Sequence, residues 1–226
     1  MAGTFLDEAA RDRVGAAVTA AEHGTDGEIV TIVSETSDSY HDVALHYAIA
    51  AMLLVAAIAA VTPATLEMKL AWFSNGWSGT PEVGRMFFAV MLAQAVVFLV
   101  IRYALAWMPL RLALTPRATR SRRVRRRAVQ YFKVGAERRT TARVGILLYL
   151  SLGEHMAEIV ADEAIHGAVP PERWGDAMAA LVVEVKAGRP AEGMAAAVAA
   201  IGTILAEKFP KTDADVNELP DRLIEL

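Results

Sequence analysis

The chain has 226 residues, 54% of them hydrophobic, with 23 Lys and Arg against 26 Asp and Glu, a formal net charge of −3 and no cysteine. That length suits one domain plus a short membrane segment. The lack of cysteine excludes a disulfide framework, a thiolate nucleophile and any Cys-based zinc or iron–sulfur site, and it leaves the compartment open.

At the N-terminus, Asp7, Glu8, Arg11, Asp12 and Arg13 fall in a helical pattern without an apolar signal core. The N-terminus is therefore expected to stay where it is made. Thr4 and Asp7 have capping-box spacing, Leu6, Ala10, Val14, Ala17, Val18 and Ala21 form a helical stripe, and His23-Gly24 ends it. Glu28 to Val33 then reads as a strand whose apolar run needs cover on both faces. One helix and one strand are too little to bury a core of their own, so this fragment must pair with the C-terminal part.

Two apolar segments interrupt the α/β pattern. Val43–Val61 carries only His46 and Tyr47 as polar breaks, and Met86–Met108 carries Gln94 and Arg102. Each has about 20 residues, the length that crosses roughly 30 Å of hydrocarbon. The alternative is a pair of buried helices in a soluble protein; two in tandem, the second followed by an arginine run, favour a membrane hairpin. The run comprises Arg111, Arg117, Arg120, Arg122, Arg123, Arg125, Arg126 and Arg127, whereas the loop 63–85 offers only Lys69 and Arg85. The positive-inside bias then puts both termini in the cytoplasm. Tyr47, Tyr103, Trp107 and a snorkelling Arg102 suit the basic interface, and Trp72, Phe73 and Trp77 the opposite one.

From Arg117 the pattern is helical, with Val124, Ala128, Tyr131 and Phe132 on one face. The reading is a basic amphipathic helix lying on the bilayer, with Arg120, Arg122, Arg123, Arg125, Arg126 and Arg127 at anionic headgroups. Nucleic acid is the weaker reading, because the run sits directly against a membrane segment.

The α/β pattern resumes with a strand at Val144–Leu150, a turn at Ser151–Glu154 and a third strand at Met156–Val160 pairing back as a hairpin. Pro171 opens a helix with Trp174, Met178, Leu181 and Val185 as its stripe and Gly188 as its end. A second runs from Pro190 to Pro210 with Met194, Val198, Ile201, Leu205 and Phe209 buried. A short last helix is predicted at Leu219–Ile224. The expected organisation is a small layered α/β domain of about three strands plus helices, split by the hairpin. Its parts are residues 1–42, a hairpin at 43–110, a basic connector at 111–137 and the remainder at 138–226.

Several segments resemble the TPM domain family: Thr25–Val30 (TDGEIV), Arg143–Leu152 (RVGILLYLSL), Ala157–Asp162 (AEIVAD), Trp174, Gly188–Gly193 (GRPAEG) and Asn217–Asp221 (NELPD). That family includes thylakoid-lumen and photosystem II repair proteins, an animal acetylcholine-receptor modulator and bacterial membrane proteins. The chain looks like the bacterial branch with a mid-chain transmembrane hairpin. Roughly residues 4–35 and 138–226 carry the likeness. It implies a compact α/β sandwich and, for some relatives, acid phosphatase activity or calcium binding. Many members have Asp or Asn directly before the glycine that opens the second strand; here Arg143-Val144 precede Gly145.

Acidic residues at strand ends are the candidates for chemistry. Glu35 and Asp38 follow the first strand, Glu154 the second and Asp162 the third. Glu35, Asp38 and Asp162 are the candidate ligands for Ca2+ or Mg2+, although an antiparallel third strand would carry Asp162 to the opposite edge. Asp213, Asp215 and Asn217 imitate a calcium loop but lack its glycine and terminal glutamate, and read as a solvated linker. No histidine pair has zinc spacing, and no nucleophile elbow or phosphate loop is present. Arg138, Arg139 and Arg143 could hold a phosphate or extend the basic surface. With Gln94 and Arg102 as their strongly polar groups, the two spans could line a pore only by oligomerising. The expected function is a cytoplasmic-face module on an inner membrane that binds a partner or ligand to support a membrane complex; the alternative is a metal-dependent, membrane-tethered acid phosphatase. Whether the chain is an enzyme stays open at this point.

Overall fold

The first strand, β1 (Glu28–Ser34), is buried at all seven positions, as an apolar run covered on both faces must be. The computed structural model describes residues 6–73, 83–135, 144–212 and 221–226. In chain order these form α1 (Glu8–Glu22), β1, α2 (His41–Val61), α3 (Pro63–Phe73), α4 (Val83–Ala104), α5 (Met108–Leu114), α6 (Arg117–Gly135), β2 (Gly145–Ser151), β3 (Met156–Ala161), α7 (Glu163–Ala168), α8 (Pro171–Lys186), α9 (Pro190–Lys208) and β4 (Ile224–Glu225). They separate into two compact units, residues 1–38 with 117–226, and residues 39–116.

The first unit is built on a mixed sheet in the order β3-β2-β1-β4. β1 and β2 run parallel, with Glu28 opposite Gly145 and Ser34 opposite Ser151. β2 turns back into antiparallel β3, as the hairpin pattern predicts. The helix expected near Leu219–Ile224 is not formed over its described part. Ile224 and Glu225 instead pair in parallel with Ile32 and Val33, and Leu226 N–H donates to the Val33 carbonyl. The reason is tertiary: β1 would otherwise leave its backbone groups bare on that edge. Leu219 and Pro220 lie outside the described residues.

One face of the sheet is covered by α1, α7, α8 and α9. Asp7 caps α1 by accepting from Ala10 N–H at 2.7 Å; Thr4, its expected capping partner, lies outside the described residues. The predicted stripes are in place: Val14 and Val18 of α1, Leu181 of α8 and Met194, Val198, Ile201 and Leu205 of α9 join Ile29, Val33, Ile146 and Leu148 in one core. α1 and α9 approach so closely that a Cβ on Gly202 would stand 2.5 Å from Ala21 Cβ, so only glycine fits there. Gly188 ends α8 at φ +76°, the left-handed cap its sequence position predicts.

The other face is covered by α6. Val124, Ala128 and Phe132 are buried against Val30, Ile32, Leu147 and Tyr149, with Tyr131 alongside. The amphipathic stripe read from the sequence exists, but it lies on the sheet rather than on a bilayer. Burying Val124 and Phe132 contributes roughly 1.5–3 kcal/mol each, and that gain holds α6 as the third layer of the domain.

In the second unit α2 and α4 pack against each other, and Gln94 Nε2 donates to the Met52 carbonyl at 3.3 Å. Both are long and apolar enough to cross a membrane, and only 11% and 0% of their apolar windows are buried. Leu53, Leu54, Ile58, Phe87, Phe88 and Val100 are all exposed. Tyr40, Val43 and Leu112, with Met108, form a small core where α2 begins and α5 lies. Arg111 is buried there. Its guanidinium donates to the carbonyls of Leu105 at 2.7 Å, Ala106 at 3.1 Å and Ser39. It thus closes carbonyls just past the end of α4, where a cation is favoured, and is not part of an exposed basic run.

Candidate functional site

Parallel strands deliver loop residues to their carboxyl ends, where α/β sheets usually carry ligands. At that end, the segment after β1 meets β2, the turn after it and α6. Ser37 N–H donates to Glu154 Oε1 at 2.8 Å, and Ser37 Oγ lies 2.9 Å from Tyr149 Oη. Ser151 Oγ donates to the other oxygen of Glu154, which is buried. Arg127 Nε donates to the Ser37 carbonyl at 2.9 Å, and Arg123 pairs with Asp38 at 2.9 Å. Arg127 also sits over the Tyr131 ring at 5.7 Å, and Tyr131 meets Tyr149 at 5.8 Å between centroids. Burial pushes the Tyr149 hydroxyl above its usual range, with hydrogen bonds from Ser37 and Ser34 opposing.

These bonds make a fixed polar end to the sheet. Glu154 and Asp38 already accept charge-assisted or backbone bonds, so the cluster acts as a strap holding residues 35–38. Glu35 is exposed, its carbonyl accepting from Gly153 N–H at 2.7 Å. Asp162 is elsewhere: its carboxylate accepts from Gly145 N–H at 2.8 Å, at the amino end of β2. The six residue steps from Glu28 to Ser34 separate that position from Glu35 by roughly 20 Å. The expected metal set is therefore not assembled, because β3 runs antiparallel to β2. Among the described residues no three His, Asp or Glu side chains converge as a metal ion requires. Calcium or magnesium thus does not fit the residues proposed for it.

The basic residues of α6 differ in their surroundings. Arg123, Arg125 and Arg127 flank the buried stripe and are tied to Asp38, Glu158 and Ser37. Burial raises the Glu158 carboxyl, and Arg125 opposes that rise. Arg120 is half-buried, with its Nε shielded from solvent. Arg122, Arg126 and Lys133, four and seven residues apart, share the outward face and are exposed. Among the described residues no carboxylate pairs with these three; Arg122 reaches only Thr119 Oγ1, at 3.5 Å. Lys133 lies beyond the arginine run, and helical spacing from Arg122 and Arg126 is the sequence signal that places it with them.

A third cluster joins the end of α1 to the start of β1. Glu22 Oε1 accepts from Ile29 N–H at 2.7 Å. Burial, with Glu28 and Asp221 close by, pushes the Glu22 carboxyl up to about 8 despite that bond. Nothing in the local sequence marks it, since Asp221 arrives from the other end of the chain. The Thr25-Asp26-Gly27 motif is structural as well. Thr25 Oγ donates to the Phe209 carbonyl, and Asp26 accepts from Thr212 N–H at 2.7 Å, tying the start of β1 to the end of α9. Arg138, Arg139, Arg143, Asp213, Asp215, Asn217 and Trp77 lie outside the described residues, as do the side chains of Trp72 and Phe73.

The α6 layer, the β2–β3 hairpin and the paired helices α8 and α9 are the region on which comparison with known proteins decides. Residues 110–204 match the TPM domain. The matched region takes in α6, whereas the sequence likeness covers residues 4–35 and 138–226. The fold is similar to the NMR structure of the BA42 protein from the psychrophilic bacterium Bizionia argentinensis, with a TM-score of 0.57 over 100% of this chain and 99% of that one. Sequence identity is 16%, so that likeness is one of fold. No curated protein sequence matches the chain. α1, β1 and β4 lie outside the matched residues, and β1 and β4 supply half of the strands of the sheet.

Proposed function

We propose that this chain is a membrane-anchored TPM module: α2 and α4 form a transmembrane hairpin, and the α/β unit stands on the cytoplasmic face. The observation that carries the reading is the outward display of large apolar side chains along both helices, including Leu54 at 59%, Phe87 at 72% and Val100 at 59% exposure. Water would not tolerate so long an apolar surface, and hydrocarbon asks for it. Tyr47, Tyr103 and Trp107 are exposed near the start of α2 and the end of α4, and suit a headgroup interface. The chain belongs, on this reading, to the hairpin-bearing bacterial branch of the family, in an inner membrane.

The stripe of Arg122, Arg126 and Lys133 is the surface offered to anionic headgroups. Arg123, Arg125 and Arg127 serve the domain's own stability. The module binds a protein partner or ligand in support of a membrane complex. Among the described residues no convergent carboxylate set favours the phosphatase alternative, and its proposed ligands Glu35 and Asp162 stand at opposite ends of the sheet.

The absence of cysteine makes the test direct. Single Glu67→Cys and Gly167→Cys variants are expressed in bacterial cells and treated with a membrane-impermeant maleimide before and after lysis. The expected outcome is retention in carbonate-washed membranes, labelling of the first variant in intact cells and of the second only after lysis. Release by carbonate, or labelling of Gly167→Cys in intact cells, would overturn the reading.

A further inference from the structure

The centre of α4 carries a polar group that the hairpin leaves half-satisfied. Eleven residues of α4 precede Gln94 and ten follow it. Its single hydrogen bond runs from Nε2 to the Met52 carbonyl, which is equally central in α2. Among the described residues nothing pairs with the second Nε2 hydrogen or with either lone pair of Oε1. Gln94 is only partly covered within its unit, and Met91 and Phe87, three and seven residues before it on the same face, are 57% and 72% exposed.

On the hairpin reading given above, this carboxamide sits at the depth where water is scarcest and an unpaired amide costs most. Its open donor and acceptor are complementary to themselves. Two such groups facing each other across a two-fold axis satisfy one another through a pair of N–H···O bonds, and polar side chains of this kind join transmembrane helices. We infer that α4 is the contact surface for a second copy of this chain, with Gln94 opposite Gln94 and Met91 and Phe87 packed beside the pair. A foreign helix would need its own central polar group in register; a second copy carries one by construction.

The experiment uses full-length protein in native membranes, with Met91→Cys and Val96→Cys introduced singly. Val96 is 51% exposed but lies two residues beyond Gln94, on the far side of the helix. Under mild oxidation Met91→Cys should give a disulfide-linked dimer and Val96→Cys should not. Adding Gln94→Leu should slow cross-linking at Met91→Cys by about tenfold or more, and Gln94→Asn should restore much of it, as a carboxamide contact requires. The inference is overturned by no cross-linking at Met91→Cys, by equal cross-linking at Val96→Cys, or by indifference to Gln94→Leu. Light scattering of unmodified protein in detergent gives a second reading, with a dimer mass expected and a monomer mass contradicting it. Failure of the hairpin itself would show separately, as release of every variant by carbonate.

Discussion

At the scale of single residues, burial and backbone geometry decide what each acidic group does. Asp162 looked like a ligand from its place at a strand end, yet its carboxylate closes the Gly145 backbone N–H. Glu154, a turn residue in sequence, is buried and organises Ser37 and Ser151. Glu22 has the clearest consequence for pH. Its pKa rises from 4.5 to about 8 on folding, chiefly through burial. The native state therefore holds one more proton than the unfolded chain between those values. Its stabilising share is fully present below about pH 4.5 and is lost as pH rises towards 8. Urea unfolding of the wild type should shift to lower midpoints from pH 5 to pH 8. Glu22→Gln, which keeps the acceptor towards Ile29, should flatten that part of the curve. An unchanged slope in the variant would remove Glu22 as its source.

At the scale of elements, α6 shows how a correct pattern can be given the wrong neighbour. Val124, Ala128, Tyr131 and Phe132 were legible as one face because the period of the helix alone sets it. What covers that face was not legible, since β1 and β2 are brought together from either side of the hairpin. Once the sheet takes the apolar face, Arg123 and Arg127 fall on its flank and Arg122 and Arg126 on the outward face. Arg123→Ala should lower the stability of the detergent-solubilised protein by about 1 kcal/mol, since it removes a partly buried ion pair with Asp38. Arg126→Ala, on the outward face, should leave it within about 0.5 kcal/mol. Thermal unfolding followed by circular dichroism checks both. Equal losses would mean that α6 is not docked through the flank that carries Arg123.

At the scale of the whole molecule, the chain separates into an α/β unit closed by its own sheet and cores and a helical unit of residues 39–116. The two cores flanking the sheet draw on residues of the first unit alone. Replacing residues 39–116 by a flexible linker of about eight residues, which reaches up to roughly 25 Å, should therefore give a soluble protein that unfolds in one cooperative urea transition. The strap of Arg123, Arg127, Tyr149 and Glu154 on Ser37 and Asp38 should still hold the start of that linker. An aggregated or non-cooperative product would show that the helical unit is needed for the domain's core.

The sequence alone determined the local elements: the stripes of α1, α8 and α9, the buried run of β1, the β2–β3 hairpin and two helices of membrane-spanning length. Each rests on side-chain period, caps and turns within about 20 residues, and such short-range preferences are written into neighbouring positions. Tertiary structure decided the rest. It turned residues 224–225 into β4 because the edge of β1 needed a partner, placed α6 on the sheet, and drew Glu22 and Asp221 together from distant parts of the chain. It also brought Ser37 and Asp38 to Glu154 and Arg123, partners from distant parts of the chain that no local spacing joins, whereas the place of Asp162 at the other end of the sheet follows from the β2–β3 hairpin itself.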